Sequence, residues 1–217
     1  MIKCDLNHTN RNRITLTRND PLMKLKSNKL TMCAMFAALI AAGAFIRIDI
    51  PLPLYTMHFT LQWFFVLMAG FLLGAQNGML SVIVYLAIGL VGFPVFAAGG
   101  GPAYVLRPGF GFLLGFVGAA WLIGYLTEKK TAFSAVQKKT SWKQLMIPAA
   151  AGLIVYYAVG AVYFYLIKNL YVGENVPFAL IVVQYCLITV PPDFLLCVFA
   201  AILSARLRDP FRQRTGM

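Results

Sequence analysis

The chain has 217 residues, 60% of them hydrophobic and 14% aromatic, with a mean hydropathy of +0.74 and a net charge of +12. Between Asp49 and Glu128 the only formal charge is Arg107 and the only histidine is His58, which excludes a soluble domain, because about 20 apolar residues already span a bilayer core of about 30 Å. The charge excludes nucleic-acid binding by its placement: seven Lys/Arg precede Leu30, five lie within 129–143 and four within 206–214, in blocks flanking apolar segments as the positive-inside rule gives for cytoplasmic tails and loops.

Composition and length fit one polytopic membrane domain. Residues 1–29 form a basic tail rich in Asn and Thr, expected to be poorly ordered and lacking the apolar run of a signal peptide. The first crossing is expected over 30–46, ending at Arg47-Ile-Asp49 ahead of Pro51 and Pro53, which discourage helix. A second runs over 60–73 and stops at Gly74-Ala-Gln-Asn-Gly78, a tight turn by composition. That is short for a crossing, so residues 57–59 are expected to extend it or lie in the interface. The third covers 79–95. The segment from Phe96 through Gly99-Gly100-Gly101-Pro102 to Arg107 is too rich in glycine to be helical throughout. The fourth crossing covers 108–126 and leads into the basic loop 128–143. The fifth covers 145–167, and a loop over 168–176 follows. The sixth covers 178–207, broken near Pro191-Pro192. Residues 209–217 form a second tail. Six crossings place both termini and all three basic blocks on one side, hence in the cytoplasm. The expected fold is all-α, a six-helix membrane bundle with a glycine-rich outer loop between helices three and four.

Little in this chain suits catalysis. No glycine-rich nucleotide loop with its lysine is present, and the histidines are only His8 and His58, so HExxH and Ser-His-Asp sets are out of reach. Cys4, Cys33, Cys186 and Cys197 show no CxxC spacing and read as inert thiols. No catalytic residue, metal site or cofactor is expected.

What remains is a small polar set in an apolar bundle. Asp193, just after two prolines, either contacts a ligand or caps the helix that follows it. Arg107 either snorkels to the outer headgroups or supplies a cation for an anionic solute. The run Gly99 to Gly101 removes side chains where backbone N–H groups approach a ligand, and a lid or a plain connector fits equally well. Gln62, Tyr85, Tyr104 and Gln184 offer uncharged hydrogen-bonding groups. In the first helix Ala34, Ala38 and Ala42, beside Ala37 and Ala41, make a small-xxx-small surface for close helix approach, inside the bundle or toward a partner.

The segments Ile46-Arg-Ile-Asp-Ile-Pro-Leu-Pro53, Phe59-Thr-Leu-Gln62, Gly89-Leu-Val-Gly-Phe-Pro-Val-Phe96, Pro108-Gly-Phe-Gly-Phe-Leu-Leu-Gly-Phe116 and Pro191-Pro-Asp193 resemble BioY. That family is the biotin-specific substrate-binding (S) component of energy-coupling factor (ECF) transporters. The likeness covers most of residues 32–208. It implies capture of a vitamin from outside in a pocket under the loop between helices three and four. It also implies delivery through a transmembrane coupling protein with two cytoplasmic ATPases, which gives the face Ala34, Ala38 and Ala42 a partner. With biotin as the solute, one orientation has Asp193 accept from its ureido N–H groups, and the reverse orientation stays open. Arg107 or loop N–H groups meet the carboxylate, while Phe96, Tyr104 and Phe112 cover the ring. The chain departs from the pattern where Leu196 replaces a lysine, and where Gly109 and Phe112 replace a threonine and a tyrosine. Those departures keep open a component for another small vitamin such as lipoate. A membrane assembly protein with a dry, filled interior is the more distant rival.

Overall fold

The computed structural model describes residues 21–51, 56–133, 141–183 and 188–215. Helix α1, Pro21–Phe45, opens on a proline, whose missing N–H costs nothing in a first turn. It begins earlier than the apolar run suggests. Two short antiparallel strands follow, β1 Arg47–Ile50 and β2 Met57–Thr60, with Asp49 opposite His58. This corrects the expected helical extension over 57–59: these residues pair as a strand. Pro51 stops any helical continuation, and β-branched Ile48 and Thr60 suit a ladder. Leu61 N–H donates to Ile46 O at 3.0 Å, closing the base of the hairpin.

Helix α2, Gln62–Val91, is folded double at Gly74, whose φ of 82° and ψ of −173° only glycine adopts without strain. Its arms, 62–73 and 75–91, run antiparallel and touch. Gln62 Nε2 donates to Tyr85 Oη at 2.5 Å, and a Cβ on Gly78 would lie 3.2 Å from Gly70 Cα. The second arm's first amide, on Ala75, donates to Glu128 Oε1 at 3.2 Å. A carboxylate there satisfies an orphan N–H and complements the helix dipole.

The second arm ends at Val91 rather than near Val95, because Gly92 takes φ 120°. A 3₁₀ turn, Pro102–Leu106, then leads to α3, Phe110–Phe133. Helix α4, Trp142–Leu166, opens on a capping box in which Ser141 and Gln144 each cap the other's backbone. It continues into a π-helical turn, Ile167–Tyr171. There the buried Lys168 Nζ meets Glu174 Oε2 at 2.8 Å. After the short α5, Phe178–Ile181, comes α6, Val190–Thr215. Pro191 and Pro192 sit in its first turn, where amide donors have no helical partner to lose. The expected break of the sixth crossing therefore falls just ahead of Val190.

Among the described residues five helices are long and apolar enough to cross a membrane, and the doubling of α2 turns one of them into two antiparallel arms. Helix α3 packs between α2 and α4, α1 packs on α2, and α6 on α2 and α4. Small residues permit the close crossings: a Cβ on Gly115 would stand 2.7 Å from Tyr156 O. Outward-facing Ile147, Ile154, Leu195 and Phe199 are exposed, as suits side chains that face lipid instead of water.

One end of the bundle gathers the start of α1, the Gly74 reversal, the end of α3, the start of α4 and the end of α6. Lys129, Lys130, Lys143, Arg206 and Arg208 lie there. The other end carries the β-hairpin, residues 92–109 and the π-turn. The first arm of α2 is only about 18 Å long at 1.5 Å per residue, so it stops short of that second end. The missing turns leave a recess between longer neighbours.

Candidate functional site

That recess is lined by five elements. His58 and Thr60 come from β2, Gln62 from the start of α2, Ala97 and Tyr104 from the loop, and Phe112, Leu113 and Phe116 from α3 beside Tyr156 and Phe164 of α4. As it stands it holds about 70 Å³, room for water rather than for a bicyclic vitamin, whose pockets run to about 300 Å³ or more. Its roof consists of the hairpin and the 3₁₀ turn, the elements with the fewest helical constraints.

The floor is a chain of hydrogen bonds. Thr60 Oγ1 donates to Gln62 Oε1 at 3.1 Å, Gln62 Nε2 donates to Tyr85 Oη at 2.5 Å, and Tyr85 donates to Val95 O at 3.3 Å. Gln62 and Tyr85 are buried, so each bond replaces water that neither group reaches. The walls are aromatic. Tyr156 stacks on Trp63 at 4.8 Å and on Phe116 at 5.1 Å, and tilts against Phe112 at 5.5 Å. Tyr104 lies 4.6 Å from Phe96, with the Arg107 guanidinium 5.0 Å over its ring.

The sequence candidates divide into three groups. Gln62, Tyr104 and Phe112 line the recess itself. Tyr85, Phe96 and Arg107 stand directly behind that lining. Arg107 Nη1 donates to Ala98 O at 3.1 Å, so its charge tethers the loop as well as stacking on Tyr104. Asp193, 3% exposed, lies deeper. Tyr157 Oη donates to Asp193 Oδ2 at 2.5 Å, and Thr189 Oγ1 is 2.8 Å from the same phenol. With the phenol's hydrogen committed to the carboxylate, Thr189 is the donor of that second bond. Asp193 therefore sits inside the first turn of α6, behind the Tyr156-Tyr157 wall. Gln184 lies outside the described residues.

Gly99 and Gly100 sit in the roof. Gly99 N–H donates to Phe96 O at 3.2 Å, and Gly101 N–H to Gly89 O at 2.8 Å. The first amide is thus spent inside the loop and the second on the last turn of α2. A side chain on Gly100 would collide with Phe93 O, so this glycine lets the loop lie against the end of α2. Leu196 faces away from the recess, in an apolar groove with Leu61, Phe64 and Phe199.

Two residues of the site carry little signal in the sequence. Tyr156 and Tyr157 look like ordinary core aromatics until α4 is placed against α3 and α6. His58 is more legible, as the lone imidazole of an almost uncharged stretch. Its Nδ1 is 2.6 Å from Asp49 Oδ1, and Arg47 Nε is 3.5 Å from the same oxygen. The hydrogen bond from His58 holds the Asp49 carboxyl below the usual carboxylate range, with smaller help from the Arg47 charge.

A second recess, about 380 Å³, opens at the basic end among Lys29, Gly74, Asn77, Glu128 and Arg208. It is larger but polar and built around the helix reversal. The smaller recess has the aromatic walls and few convergent polar groups of a small-molecule site.

Apolar helices enclosing an aromatic recess at one end, with basic residues gathered at the other, define a multi-pass membrane protein with a small-solute site. A sequence model of the BioY family matches residues 16–213. Over 183 residues the chain is 43% identical to a probable biotin transporter BioY of Lysinibacillus sphaericus, covering 84% of this chain and 88% of that one. It is 39% identical over 147 residues to a biotin transporter BioY of Thermotoga maritima, covering 67% and 77%. The fold matches the crystal structure of the S-component for biotin from an ECF-type ABC transporter with a TM-score of 0.71 at 28% identity, covering 85% of this chain and 92% of the other. The chain belongs to the BioY family.

Proposed function

We propose that this protein captures biotin from outside the cell and carries it across the cytoplasmic membrane as the substrate-binding component of an ECF transporter. The observation that carries this reading is the match of the whole bundle to a biotin S-component, with the aromatic recess at the end away from the basic blocks. The relatives favour biotin over another vitamin such as lipoate.

The basic end faces the cytoplasm with both termini, by the positive-inside rule, and the recess then faces outward. Biotin enters as the hairpin and the 3₁₀ turn swing aside and the Phe112–Tyr156 contact parts. Asp193 accepts from the ureido N–H groups with the oxygen that Tyr157 does not take, in a charge-assisted bond. Gln62 and Tyr85 serve the polar edge of the ring, and Phe96, Tyr104 and Phe112 cover its apolar body. Arg107, Gly99 and Gly100 hold the roof loop in place over it. Transport energy comes from a transmembrane coupling protein with two cytoplasmic ATPases. Ala34, Ala38 and Ala42 form one exposed stripe on α1 while Ala37 and Ala44 are buried, which supports assigning the outer stripe to that partner.

Thermal unfolding of the purified protein tests the reading. Biotin selective for the folded state raises the transition by mass action, by about 2.7 kcal/mol at a hundredfold excess over Kd. Lipoate at the same concentration is expected to leave it unmoved. A shift with lipoate and none with biotin overturns the assignment.

A further inference from the structure

The reading of the recess as a biotin site leaves the carboxylate of the ligand without a counter-charge. No Lys or Arg lines the recess among the described residues. Arg107 is engaged on Ala98 O and over the Tyr104 ring. The one lining side chain able to become a cation is His58. We infer that His58, positioned by Asp49, reads the carboxylate of the solute, so that capture of the anion strengthens as the external pH falls.

The geometry that carries this is the register of the hairpin. Asp49 and His58 are direct cross-strand partners, and the carboxylate accepts from Nδ1 at 2.6 Å. That bond fixes the proton of the ring on Nδ1. Protonation then makes Nε2 a donor on a ring that lines the recess. Other groups stand around it. Arg47, on β1, shares Asp49 with His58, its Nε 3.5 Å from that carboxylate. Thr60 and Gln62 face the recess beside it, Tyr104 from the 3₁₀ turn and Tyr156 from α4, all with hydroxyl or amide groups. Behind Tyr104 stands Arg107. Imidazole is the ordinary side chain whose charge changes between about pH 5 and 8. Asp49 stays ionised across that range, since its titration is displaced downward. Whatever stability its pair lends the hairpin is kept there and is lost only under stronger acid.

Calorimetric titration of the full-length protein with biotin and with neutral biotin amide, between about pH 5.5 and 8, tests the inference. One linked proton changes affinity by at most about tenfold per pH unit. The wild-type protein is expected to bind biotin several-fold more tightly at the acid end, and the amide equally at both ends. His58→Gln removes the slope and costs more affinity for biotin than for the amide. Asp49→Asn, a positioning change, narrows the difference in affinity between biotin and the amide because the ring loses the partner that orients it. A slope that persists in His58→Gln, or that the amide shares, overturns the inference and leaves the biotin reading standing. A wild-type protein that binds neither ligand at any pH overturns that reading, and this inference with it.

Discussion

Asp193 is the residue on which the proposed ligand chemistry turns. Burying a carboxylate in a bundle is costly unless it is paired, and Asp193 is paired with the Tyr157 hydroxyl, with Thr189 behind. That leaves acceptor capacity on the side chain, since a carboxylate takes several donors. Asp193→Asn keeps the volume and removes the charge. If the second oxygen holds a ureido N–H, biotin affinity falls by about 1.5–3 kcal/mol, the range for hydrogen bonds to charged groups. Unchanged affinity in a normally folded variant, read by equilibrium binding, would return Asp193 to a purely helix-initiating role. Residue type and isolation made Asp193 conspicuous in the sequence. Its partners were not legible there, because Tyr157 lies on another helix and nothing local links the two.

At the scale of elements, the apolar runs and glycine–proline punctuation located each helix, since a membrane permits few alternatives to helix. The doubling at Gly74 was readable from Gly74-Ala-Gln-Asn-Gly78, though the reversal uses one residue and not five. The β-hairpin was not readable. Two prolines said only that helix stops there, and the pairing of 47–50 with 57–60 is set by contacts across the turn. The glycine-rich loop was located, but the role of its amides was not, because whether an N–H serves a ligand or a neighbouring carbonyl depends on the fold. Helix α1 shows what spacing alone leaves open: two alanine stripes fit it, and only packing tells the buried one from the exposed one. Ala38→Leu together with Ala42→Leu blocks close approach on the exposed stripe. Purified variant is expected to keep biotin binding, while cells lose ATP-driven uptake and the coupling protein no longer co-purifies. Lost binding in the isolated variant would place these alanines within the bundle, and intact uptake would move the docking face elsewhere.

Across the whole molecule, function follows from a mismatch of lengths. The first arm of α2 is too short to reach the end that its neighbours reach, and the recess occupies the space it leaves. The hairpin and the loop 92–109 close that space with aromatic side chains, a single imidazole and the tethered Arg107. The opposite end concentrates the basic residues and contains a larger polar recess around Gly74 and Arg208. Two recesses at opposite ends make the location of the solute the central claim. Photolabelling with a biotin derivative that carries a small photoreactive group on its tail, followed by peptide mapping, tests it most directly. The label is expected on peptides containing His58, Tyr104, Phe112 or Tyr156, and excess free biotin is expected to suppress it. Competed labelling on peptides containing Lys29, Asn77, Glu128 or Arg208, with none at the outer recess, would contradict the account.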